Sequence, residues 1–135
     1  MNTHYGTGKI IYDPHRHGMK KRTKWWCVAN VDREITRYYR WWIQKELHIK
    51  GLFRPSWDAH ISIIRGEKPD DDLLELWGKY QGEIIEFQYI HSPYKAKKNQ
   101  FWAVEVVCPR IVEIRQELRK PINWKLHLTV GRTYY

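Results

Sequence analysis

The chain has 135 residues, enough for one domain (residues 1–135) with a substantial core and too short for two. Its 42% apolar content, with 8 Trp and 9 Tyr, excludes a disordered tail, and no apolar run is long enough for a membrane-spanning helix. The formal charge of +9 points to an anionic partner such as nucleic acid, nucleotide or phosphorylated ligand, although the same excess of Lys and Arg also serves plain solvation. The two cysteines, Cys27 and Cys108, sit in apolar strand-like runs without the close Cys/His spacing of a zinc site. They are expected to be buried free thiols in a reducing compartment. The polar, basic N-terminus lacks a secretory pattern, so a soluble cytoplasmic protein with no membrane partner is expected.

Gly8 to Asp13 reads as a short strand stopped by Pro14, and the basic stretch His15 to Lys24 as a loop. Trp25 to Val31, rich in β-branched and aromatic residues, is the next strand. Asp32 is placed to cap a helix over residues 33–49, whose Ile35, Tyr38, Tyr39, Trp42, Ile43 and Leu47 recur at helical spacing before Gly51. A strand over 58–65 ends at Gly66. Pro69 and the acidic run Asp70 to Asp72 start a short helix closed by Gly78. Strands follow at 83–90 and 101–107, joined by a loop carrying Lys95, Lys97 and Lys98. Residues 110–119 are helical by pattern, and a last strand covers 125–130 up to Gly131. The unit strand, helix, strand thus occurs twice, and topology, rather than sequence identity outside a shared tripeptide, predicts two similar α+β lobes.

That tripeptide is His-x-Ser/Thr: His60-Ile61-Ser62 and His127-Leu128-Thr129, each on a strand. Side chains at i and i+2 share a strand face, so each imidazole projects beside a hydroxyl while Ile61, Ile63, Leu128 and Val130 point the other way. Alone, such a tripeptide arises by chance, and histidines often sit satisfied at a core edge. Two copies in equivalent positions fit a specific chemistry. In-line cleavage of a phosphodiester needs a base on one side and an acid on the other, and imidazole serves either role near neutrality. Hydroxyl donors then stabilise charge on the non-bridging oxygens. The order of the two histidines is open, and the reaction needs neither metal nor cofactor.

On these residues the chain resembles the two-histidine (2H) phosphoesterase superfamily, defined by two His-x-Ser/Thr motifs on facing strands. Here the first hydroxyl is Ser62 where Thr is commoner. Gly6 to Lys9, Asp32 to Trp42, Trp57 to Glu67 and His127 to Gly131 further resemble a small phage-encoded branch that includes anti-CBASS nucleases. The resemblance implies an α+β, bilobal fold of two antiparallel-rich sheets backed by helices around a central cleft. It also implies metal-independent cleavage of 3′–5′ bonds in cyclic oligonucleotide messengers, with the ribose 2′-hydroxyl as nucleophile. Two rivals stand beside it: an RNA end-processing enzyme acting on 2′,3′-cyclic phosphates, and a basic module that binds cyclic nucleotides or RNA without turnover.

Further binding candidates are less specific. Arg65 and Arg132 each lie five residues beyond a motif histidine, an odd offset that puts them on the opposite face of a regular strand unless the chain turns. Glu67 could orient a histidine, bind a ribose hydroxyl or simply be exposed. Tyr12 and Tyr89, beside the basic loops, are candidates for stacking on bases, and Lys20 to Arg22 and Lys95 to Lys98 for lids over an anion.

Overall fold

Glycines set the path of the first strand. In a computed structural model, which describes residues 3–15, 23–96, 100–122 and 124–133, strand β1 (Thr3–Tyr12) passes through Gly6 and Gly8. Its first part pairs antiparallel with β4 (Ile84–Ile90), and its second part with β2 (Trp26–Val31). A Cβ built on Gly6 would stand 2.7 Å from the tip of the buried Phe87 ring. These glycines therefore mark close packing inside a strand rather than its end, which is why β1 is longer than residues 8–13. Gly6→Ala is expected to destabilise the protein by about 1–3 kcal/mol through overpacking, read as a lower denaturation midpoint at unchanged m-value.

After β2, Asp32 accepts a hydrogen bond from the Glu34 amide (2.9 Å) and caps helix α1 (Arg33–Glu46). The helix stops short of residue 49, since His48 takes a left-handed φ of 54°. Strand β3 (His60–Arg65) follows. The helix expected before Gly78 is a 3-10 turn, Asp71–Leu76, whose three-residue period puts Leu73 and Leu76 on one face against the core. Past β4, a short strand β5 (Tyr94–Ala96) pairs with β6 (Phe101–Val107) inside the expected loop. Pro109 opens helix α2 (Pro109–Glu117), and β7 (His127–Arg132) closes the order.

All strand pairings are antiparallel, and the fold is mixed α and β. The strands form one sheet in the order β4-β1-β2-β3-β7-β6-β5, closed into a six-stranded ring by a further pairing of β4 with β6. This corrects the expectation of two separate sheets. The reason lies in two narrow seams: β3 meets β7 through Ile61 and Leu128, and β4 meets β6 through Gln88 and Tyr89. The buried residues Ile10, Ala29, Ile61, Leu128 and Val104 are successive cross-strand partners and line the core face. Tyr39 and Ile43 of α1, and Ile111, Ile114 and Leu118 in and after α2, complete that core. Cys27 and Cys108 are free and buried, and burial pushes both thiols above their ordinary range. No helix among the described residues is long and apolar enough to cross a membrane.

Candidate active site

Regular alternation would bury residues +1, +3 and +5 of each histidine strand. Instead β3 and β7 share one pattern in which +1, +3 and +4 are buried while the histidine, the hydroxyl and the arginine at +5 are partly exposed. A bulge causes this in each strand. Cys27 and Val28 of β2 pair with Ile64 and Ser62, leaving Ile63 as an extra residue, and Trp102 and Ala103 of β6 pair with Gly131 and Thr129, leaving Val130. One inserted residue resets the phase of a strand. Arg65 and Arg132 therefore return to the face of the histidines, and the regular-strand expectation for them is overturned.

The bulged carbonyls are held by arginines from the helices. Arg115 of α2 donates to the Ile63 carbonyl (2.9 Å), and Arg40 of α1 donates to the Val130 carbonyl (3.3 Å). Arg115 is fully buried and also makes a bidentate pair with Glu67 (2.9 and 3.0 Å), while donating to the Pro121 carbonyl. That pair, with the Arg65 amide, keeps the Glu67 carboxyl below its usual range against the opposing effect of burial. Glu67 is thus engaged as a structural clamp on the first motif strand.

Ile61 and Leu128 are cross-strand partners, so the antiparallel register sets His60 opposite Thr129 and Ser62 opposite His127. The two histidines become diagonal neighbours, roughly 7–8 Å apart in a regular pair. His60, Ser62, Arg65, His127, Thr129 and Arg132 all line one cavity of about 460 Å³. The rings are held alike. His60 Nδ1 donates to the carbonyl of Asp58 (2.8 Å) and His127 Nδ1 to that of Lys125 (2.9 Å), two residues upstream in each case. A carbonyl only accepts, so Nδ1 carries the hydrogen in both rings and Nε2 is the basic nitrogen of each neutral imidazole.

Aromatic side chains flank the pair. Trp57 lies 4.4 Å from the His60 ring centroid, and Phe101 is stacked at 6.2 Å from His127. Trp124 meets two guanidinium groups, Arg115 at 4.1 Å and Arg65 at 5.0 Å. Trp57 and Trp124 each precede a motif histidine by three residues. The repeat is therefore Trp-x-x-His-x-Ser/Thr-x-x-Arg, longer than the tripeptide alone.

The two stacking candidates, Tyr12 and Tyr89, stand outside this cavity. Tyr12 is buried, edge-on to Trp77 at 4.9 Å, and its hydroxyl accepts from the Tyr80 amide (3.4 Å). Burial raises its pKa, as a core phenol requires. Tyr89 stacks on His4 at 5.4 Å and lines a separate cavity with Tyr38 and Tyr39. Neither lines the histidine cleft, where Trp26, Trp57, Tyr94, Phe101 and Trp124 supply the aromatic faces. Of the lid candidates, Lys95 is exposed over Trp102, while Lys20 to Arg22, Lys97 and Lys98 lie outside the described residues. Comparison with protein-family models, with curated proteins and with solved structures finds no match for this chain.

Proposed function

We propose that the cleft is the active site of a metal-independent phosphodiesterase of the two-histidine class, cutting 3′–5′ bonds next to a ribose 2′-hydroxyl. The observation that carries this reading is the equivalence of the two halves. Two imidazoles with the same tautomer, two hydroxyls and two arginines converge on one cavity. The internal repetition also supports a bilobal description of the closed sheet, each half supplying one motif strand.

In the proposed reaction one histidine takes the 2′-hydroxyl proton at Nε2 as the 2′-oxygen attacks phosphorus. The other, protonated, gives its Nε2 proton to the departing 5′-oxygen. The P–O5′ bond breaks as the P–O2′ bond forms, leaving a 2′,3′-cyclic phosphate and a 5′-hydroxyl. Ser62 and Thr129 donate to the non-bridging oxygens, and Arg65 and Arg132 add positive charge where negative charge develops. Trp57 and Trp124 offer faces for bases, an interaction worth roughly 1–3 kcal/mol per base. By its resemblance, the substrate is a cyclic di- or oligonucleotide second messenger, and the role is phage counter-defence in the host cytoplasm.

Incubation with cyclic dinucleotides, cyclic trinucleotides and nucleoside 2′,3′-cyclic phosphates in EDTA, read by chromatography, tests the proposal. Ring opening supports it. Action on 2′,3′-cyclic ends alone shifts the assignment to RNA end processing, and retention without products makes the protein a binding module. Ser62→Ala is expected to lower kcat less than either histidine change, because one donor among several is lost. A loss equal to that of His60→Ala would give Ser62 a different role.

A further inference from the structure

Beside the histidine cleft lies a second cavity of about 610 Å³, lined by Arg33, Arg37, Arg40, Arg54 and Arg132 with Glu34 and Asp58 as its carboxylates. Pro55, Ser56 and Arg132 line both cavities, so the two share a wall. We propose that this arginine cavity holds a second phosphate of the same polynucleotide chain whose scissile phosphodiester lies between His60 and His127. This rests on the phosphodiesterase reading and deepens it by assigning residues to the substrate's second phosphate.

Charge balance supports the assignment. Glu34 pairs with Arg37 (3.4 Å) and Asp58 with Arg33 (3.1 Å), both in exposed contacts that water screens. Arg40 and Arg54 enter no ion pair among the described residues. Positive charge therefore exceeds negative charge in this concavity. Arg40 is half-buried and anchored on the Val130 carbonyl, so its guanidinium is fixed before any ligand arrives. Burial, with the charges of Arg54 and Arg37 nearby, lowers its pKa, an arrangement that a bound anion relieves. Guanidinium forks match phosphate oxygens in bidentate geometry. Arg132, with its Nε on the Arg54 carbonyl (2.7 Å), stands at the junction and relates one phosphate position to the next.

The test is binding, measured without turnover. A labelled single-stranded deoxypentanucleotide lacks the 2′-hydroxyl nucleophile and carries several phosphates; a deoxydinucleotide with one internal phosphodiester lacks it too and carries one. The exposed Arg54 side chain is changed in Arg54→Gln, and Arg37→Gln serves as a second variant on another element. Each is expected to weaken the pentanucleotide about tenfold and to reduce the slope of log K against log salt by about 0.7, the share of one phosphate on a single strand. The affinity of the deoxydinucleotide should stay within about twofold of wild type, since one bound phosphate engages only the histidine cleft. Unchanged pentanucleotide binding in both variants, or an equal loss for both probes, would overturn the proposal. Because neither probe needs to be cut, these results stand apart from the turnover assay: an inactive protein showing the arginine dependence keeps the phosphate site and loses only the enzymatic reading.

Discussion

Replacing His60 or His127 by alanine is expected to lower kcat/KM at least ~10²-fold, the lower end for removal of a general acid or base. Each ring does one proton transfer that no neighbour can take over. The nearby hydroxyls of Ser62 and Thr129 titrate far from neutrality, and the arginines stay protonated. Both rings are partly exposed on the face opposite the core, so the variants should keep the wild-type far-UV spectrum and thermal midpoint. The double variant should be little worse than either single one, because the acid and the base act as a unit. In the wild type, kcat/KM should follow a bell against pH whose two arms belong to the pair rather than to either ring. Single variants retaining activity within a few-fold of wild type would remove the histidines from the mechanism.

Arg115→Ala should give the largest loss of stability. Its side chain is fully buried and serves Glu67, the Ile63 carbonyl and the Pro121 carbonyl together. Truncation leaves a half-buried carboxylate with only the Arg65 amide and a bulged carbonyl without the guanidinium, a cost of about 3–5 kcal/mol for breaking such a pair. The pH dependence has a definite sign. The folded-state pKa of Glu67 is depressed, chiefly by Arg115, so its contribution is present above the ordinary carboxylate pKa and is lost as pH falls through the depressed value. Urea denaturation at neutral and acidic pH checks both points. The difference between wild type and variant should shrink on acidification, and a difference that grows would contradict the clamp. The bulge should loosen with it, so Arg115→Ala should also lose activity at temperatures where it stays folded.

The histidine–hydroxyl pairs were legible because strand phase over two residues is the most local signal a sheet offers. The arginines at +5 were not. A bulge inserts one residue without a marker in a run such as Ile63-Ile64, and its carbonyl is held by an arginine from a helix distant in sequence. Arg115 left a trace, since it falls on the same apolar stripe of α2 as Ile111 and Leu118, where an exposed arginine does not belong. Trp57 and Trp124 were available to any alignment of the two motifs beyond the tripeptide. An aromatic ring satisfies a core and a base equally well, so only tertiary contacts reveal that Tyr12 packs on Trp77 and that Tyr89 stacks on His4. The closure of the sheet rests on pairings of one and two residues at the seams, too short for any sequence pattern to announce.

The most direct measurement is product analysis in EDTA for two matched cyclic oligonucleotides, one of ribose and one with every 2′-hydroxyl replaced by hydrogen. The cleft described here should convert the first into fragments ending in 2′,3′-cyclic phosphate and leave the second intact. Cleavage of the deoxy ring, or no cleavage of either, would contradict a paired-histidine transesterification.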